Sequence, residues 1–104
     1  MVLTTGPSVE GRPITHYLDV VSSQAIMGVN IGKDLMAGMR NIVGGRSKSY
    51  EGEIAKAVAE VMSELTAGAE SLGADAIVSI DIDYESMGSN MLMVAASGTA
   101  VKLG

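Results

Sequence analysis

Three carboxylates stand at alternate positions, Asp81, Asp83 and Glu85. Alternate residues of an extended strand share one face about 7 Å apart, so this spacing predicts an acidic ladder. A hard divalent cation takes oxygen ligands, and ladders converging from several chains could hold one. The spacing resembles the start of a calcium loop. However, Ser86 stands where that loop needs Gly and Leu92 where it needs Glu, while Ile82 and Tyr84 mark a strand instead. The plainer alternative is a solvated strand face or one side of an inter-subunit salt bridge. Paired carboxylates could also serve acid–base catalysis at a subunit boundary, although no other motif calls for it.

Other candidates are weaker. Met87, Met91 and Met93 could offer thioethers to a soft ion, but methionine is also the ordinary filler of irregular cores. His16 is the only histidine, too few for a histidine-rich site within one chain. Gly45, Arg46 and Ser47 lie just ahead of a helix, where backbone N–H groups and a guanidinium could hold an anion. The same residues also read as one helix ending and another starting. The nearest approach to a phosphate loop, Gly28-x-x-x-Gly32-Lys33-Asp34, is one residue short and has Asp where magnesium needs Ser or Thr. No Gly-x-Ser-x-Gly elbow occurs, and the chain has no Cys, which excludes thiolate metal sites and cysteine catalysis.

The elements that would position these residues follow from periodicity. Ile14 to Met27 reads as a long strand rich in β-branched residues, after a short β-prone start at Val2 to Thr5. Ile31, Leu35, Met36, Met39, Ile42 and Val43 suggest a short helix over about 32–42. A long helix is predicted over about 49–72, its apolar stripe formed by Tyr50, Ile54, Val58, Val61, Leu65 and Leu72 and its end marked by Gly73. Beyond Gly73 the period becomes two. Val78, Ile80, Ile82 and Tyr84 are expected on a buried face, with the acids opposite. A turn at Met87-Gly88-Ser89-Asn90 leads into an antiparallel strand from Met91 to Lys102. The expected architecture is α+β: a mostly antiparallel sheet with one long and one short helix on one face.

Composition narrows the function classes. The 104 residues fit a single domain, 1–104. A formal charge of −5 disfavours nucleic-acid binding. No apolar run approaches the roughly 18 residues of a membrane helix, and Met1 to Thr5 does not open a signal peptide. The expected location is the cytoplasm, without a membrane partner. With no Phe, no Trp and three Tyr, the core is thin, and burial between subunits would strengthen it. The apolar run from Met91 to Ala96 and the pair Val20-Val21 present side chains to both sheet faces. A lone chain would expose one set, so self-association is expected.

Several blocks resemble the YbjQ-like family. They are Val20-Val21, Ala25-Ile26-x-Gly28-x-Asn30-Ile31, Ala37-Gly38-x-Arg40, Ile42-Val43-Gly44-Gly45-Arg46-Ser47 with Tyr50-Glu51, Leu72-Gly73-Ala74-Asp75-Ala76, Ile80-Asp81-Ile82-Asp83-Tyr84-Glu85 and Ser97-Gly98-Thr99-Ala100-Val101. The resemblance implies a dodecin-like fold in a ring-forming homo-oligomer, commonly a pentamer, with a heavy-metal-binding label and no established activity. A non-enzymatic oligomeric binding module for a divalent metal ion or small ligand is the function this suggests. The alternatives are a carboxylate enzyme or a dodecin-like small-molecule store. The missing Phe and Trp leave nothing of that kind to stack on a flavin ring.

Overall fold

The structure, a computed structural model, describes residues 1–28, 48–88 and 91–104. These residues form β1 (Val2–Leu3), β2 (Ile14–Gly28), α1 (Lys48–Ser71), β3 (Ala76–Ser86) and β4 (Met91–Leu103). The sheet order is β1-β3-β4-β2. β1 runs parallel to β3, while β4 is antiparallel to both its neighbours, so the sheet is mixed. The class is α+β. The short helix expected over 32–42 lies outside the described residues.

The helix forms where the sequence is rich in Ala and Glu and free of β-branched runs. Its end is set by Gly73, whose φ of 75° is easy for glycine. Gly73 N–H donates to the Glu70 carbonyl at 2.9 Å and Ala74 N–H to the Ala69 carbonyl at 3.1 Å, a Schellman closure. The stripe that reaches the sheet is Ala57, Val61, Leu65 and Ala69 at a spacing of four, with Ile54, Val58 and Met62 partly buried beside it. Two alanines therefore replace Leu72 in the expected stripe. Leu72 lies past the last helical turn and is exposed. Small side chains at 57 and 69 let α1 lie close over β2 and β4, the strands it chiefly covers. Burying Leu65 alone contributes about 2–3 kcal/mol. The Ser23 hydroxyl donates to Glu64 Oε2 at 2.7 Å and ties the helix to β2.

The alternation expected in β3 breaks at Ser79. Val78 pairs with Thr99, yet Asp81 pairs with Ser97, so β3 carries one extra residue. Ser79 takes a φ of 53°, unusual for a residue other than glycine. The amides freed by this bulge are bonded to the N-terminal segment: Ser79 N–H donates to Gly6 O at 2.8 Å and Ile80 N–H to Thr4 O at 3.1 Å. One extra residue reverses which face every later side chain meets. Ile77, Ile80 and Ile82 pack toward α1, whereas Val78 joins Ala76, Val101 and Leu103 on the opposite face. The expected grouping of Val78 with Ile80 and Ile82 is thus corrected. Tyr84 shares their register but is exposed. β4 accommodates the bulge with Gly98, where a Cβ would stand 2.6 Å from Ile77 Cγ2.

The face opposite α1 is covered only in part. Val9 and Ile14 pack against Ala76, Val78, Val101 and Leu103 at one end. Toward the β3–β4 hairpin the described residues leave that face open. On it Val20 is 69 % and Ile26 51 % exposed, whereas Val21, on the α1 side, is buried.

Candidate functional site

Strand pairing sets the geometry of the open face. β4 runs down its centre with Met91, Met93, Ala95, Ser97 and Thr99 outward. Asp81 and Ser22 flank Ser97 from either side, Asp83 and Gln24 flank Ala95, and Glu85 and Ile26 flank Met93. A shallow hollow of about 350 Å³ crosses the strands here, lined by Ser22, Gln24, Asp83, Ala95 and Ser97 among others. A polar band thus crosses a face with apolar residues at both ends, Val20 and Val78 on one side and Ile26, Met91 and Met93 on the other.

The acidic ladder is formed as its spacing predicts. Asp81, Asp83 and Glu85 are all exposed and on one face. Among the described residues none of the three has a cationic partner. A hydrogen bond from Asp81 holds the Asp83 carboxyl above the usual carboxylate range, reinforced by the Asp81 charge, some burial and the Glu85 charge. Two carboxyl groups can hydrogen-bond only if one keeps a proton, so the pair resists full ionisation.

This has a measurable sign. Because the folded chain holds the Asp83 proton more tightly than the unfolded chain, the stability it contributes is present at acid pH. That stability is lost as pH rises from the ordinary carboxylate range through the raised folded value. Asp83→Asn removes the repulsion. The variant is expected to melt higher than the parent at pH 7, with the gap closing as pH falls toward 4. A gap that stays constant with pH would sink the explanation. Asp75 works in the opposite direction. Its carboxylate accepts the Leu103 N–H at 3.0 Å, and that bond, opposed by some burial and aided by Lys102 and Arg12, lowers its pKa. Its contribution is present above the ordinary range and lost as pH falls through the lowered value.

The remaining candidates divide. Met91 and Met93 face outward on the same side as the ladder, and Met87 closes the hairpin by donating its N–H to the Met91 carbonyl at 2.8 Å. His16 is exposed, with Nδ1 3.1 Å from Thr15 Oγ1. Gly45, Arg46 and Ser47 lie outside the described residues. Ser22, Gln24 and Ser97 were not signalled by any motif. The clue was the outward series Val20, Ser22, Gln24, Ile26, polar only at its middle, which becomes meaningful once β2 is registered on β4.

A family model described as "Putative heavy-metal-binding" matches residues 1–104. The chain belongs to this YbjQ-like family. A crystal structure of a protein of unknown function in the DUF74 family, from Pediococcus pentosaceus, is similar over 100% of this chain and 98% of that one. Its TM-score is 0.68 at 18% identity, a likeness of fold. The YbjQ-like description is poorly matched by the donors of this chain. Soft metals favour thiolates, and the chain has no Cys. Among the described residues no three His, Cys, Asp or Glu side chains converge as a metal-holding group. The ladder offers hard oxygen donors spread along a strand, an incomplete set among the described residues. Among the described residues no helix is long and apolar enough to cross a membrane.

Proposed function

We propose that the protein is a non-enzymatic, self-assembling binding module whose open sheet face takes up positive charge between copies of the chain. The observation that carries this is the placement of three carboxylates, without cationic partners among the described residues, beside a polar hollow on a face whose flanks are exposed and apolar. Exposed apolar flanks favour burial against another protein surface, and burial strengthens the attraction of the carboxylates for a cation. The assembly expected is a dodecin-like homopentameric ring in the cytoplasm, supported by the YbjQ-like family resemblance. Its ligand class is a hard divalent cation on Asp81, Asp83 and Glu85, completed by a neighbouring chain. The acidic face argues against nucleic acid as a partner.

Light scattering coupled to size exclusion at micromolar concentration tests assembly. A mass near 10.7 kDa, that of one chain, would sink it, while a stable dimer or hexamer would sink only the pentamer. Magnesium, calcium, manganese and zinc titrations followed by thermal melting test the cation. A ligand that binds only the folded state raises the melting temperature as its concentration exceeds Kd. Asp81→Asn with Asp83→Asn is expected to abolish that rise, and an unchanged rise in the double variant rules these residues out as the main ligands.

A further inference from the structure

Two edges of the sheet carry unpaired backbone. β2 bonds β4 along one side, and among the described residues no backbone group bonds its other side. β1 covers β3 only at Ala76 and Ile77, and Gly6 and Thr4 accept the Ser79 and Ile80 amides. From Asp81 to Ser86 the outer side of β3 has no backbone partner among the described residues. Rows of unpaired N–H and C=O groups are templates for another strand, and proteins guard them with charges, Pro or bulges. β3 is guarded: Asp81, Asp83 and Glu85 would face their own kind if two copies of this edge met. β2 is not. Its irregularities stop at Asp19, and from Val20 to Gly28 it is regular in register, with no charged residue and no Pro.

We infer that the outer edge of β2 pairs in parallel with the outer half of β3 of a second copy, extending the sheet from chain to chain. This rests on the proposed self-assembly and names the surface that carries it. The two edges cannot meet within one chain. β4 lies between them, so they stand two strand spacings apart, about 10 Å, and β3, β4 and β2 are too few strands to close a barrel. Both edge strands run antiparallel to β4 and hence parallel to each other. Rotating one copy about an axis along its strands keeps that direction and sets β3 of one copy beside β2 of the next. The joined edges are different surfaces, so the contact is head-to-tail and closes into a ring when the rotation permits. With the copies level, Ser22 neighbours Asp81 of the next copy and Gln24 neighbours Asp83, since each pair already flanks one residue of β4, Ser97 or Ala95. Hydroxyl and amide donors thus meet the carboxylates, whereas two β3 edges would repel. On the α1 side Tyr84, 55 % exposed in the single chain, comes beside Ala25 of the neighbour, because both pair with Val94.

The chain has no Cys, so introduced cysteines report this contact alone. Ser22→Cys chains are mixed with Asp81→Cys chains, and Ala25→Cys chains with Tyr84→Cys chains. Oxidised glutathione is added and the products are read on non-reducing gels, with folding checked by circular dichroism and association by sedimentation equilibrium. A disulfide needs Cα atoms within about 7 Å, whereas on one chain each of these pairs stands about 10 Å apart. Both mixtures are expected to give two-chain products that neither variant gives alone. The Ala25 and Tyr84 pair leaves all three acids in place, so it decides the matter if losing Asp81 itself weakens association. Ala25→Cys combined with Tyr84→Cys in one chain is expected to give products of three or more chains. Two-chain products from Ser22→Cys or Ala25→Cys alone would show β2 meeting β2 about a two-fold axis and overturn the parallel contact. If the parent associates and neither mixture cross-links, the edge contact is overturned while the assembly reading stands. A parent that stays monomeric overturns both.

Discussion

Gly98→Val is expected to leave the domain largely unfolded under conditions where the parent is native, and Gly98→Ala to lower stability by about 1–3 kcal/mol. A Cβ at this position stands 2.6 Å from Ile77 Cγ2, 3.2 Å from Ile80 Cγ1 and 3.2 Å from the Val78 carbonyl oxygen. None of these can retreat cheaply. Ile77 is fully buried, Ile80 nearly so, and the Val78 carbonyl belongs to the backbone entering the bulge. A β-branched side chain adds two more carbons to the same space, so valine exceeds alanine in effect. Thermal unfolding at fixed protein concentration is the measurement, with roughly 4–8 °C of Tm expected per kcal/mol for a domain of this size. Ile77→Ala in the Gly98→Ala background should cost less than the sum of the two separate changes, because the second removes the atom the first strikes. Strictly additive losses, or a Gly98→Ala variant that melts with the parent, would show that the neighbours yield easily.

The second large effect is on assembly. Val20→Asp together with Ile26→Asp is expected to weaken self-association by roughly a hundredfold or more, since a buried charge without a partner costs several kcal/mol. Both side chains are exposed in the single chain and lie on the open face, so secondary structure is expected to be preserved. Lys substitutions at the same sites separate the apolar from the electrostatic contribution. They also bury a charge, but one the acidic ladder attracts, and should weaken association less than the aspartates. An aspartate pair that associates as tightly as the parent would place the contact elsewhere.

Much of the architecture was readable from residue spacing. The long strand Ile14–Gly28, the helix closed at Gly73 and the β3–β4 hairpin follow from β-branched content, a period near 3.6 and a change to period two. The ladder was readable for the same reason, since alternate carboxylates after the bulge share a face whatever precedes them. The phase of Val78 was not readable. Val78, Ile80 and Ile82 alternate perfectly on paper, and only the irregular backbone at Ser79, stabilised by Thr4 and Gly6 from the other end of the chain, separates them. Ala57 and Ala69 were missed because their burial reflects how closely α1 approaches the sheet, which depends on the partner surface rather than on hydrophobicity. The Ser22, Gln24 and Ser97 band was hidden because it exists only in cross-strand register, between residues some 75 positions apart in the chain.

The bulge at Ser79 sets the phase of the outer half of β3 by backbone shape alone. If Ser79 joined the regular ladder instead of bulging, the strand beyond it would slip by one residue against β4 and turn over, sending Asp81, Asp83 and Glu85 beneath α1 and Ile80 and Ile82 toward the open side. Deleting the Ser79 codon would instead leave Val78 opposite Thr99 and Asp81 opposite Ser97, keeping each side chain on its present face while removing the amide that donates to Gly6. Relatives one residue shorter between the positions matching Val78 and Asp81 are accordingly expected to keep the acids on the open face.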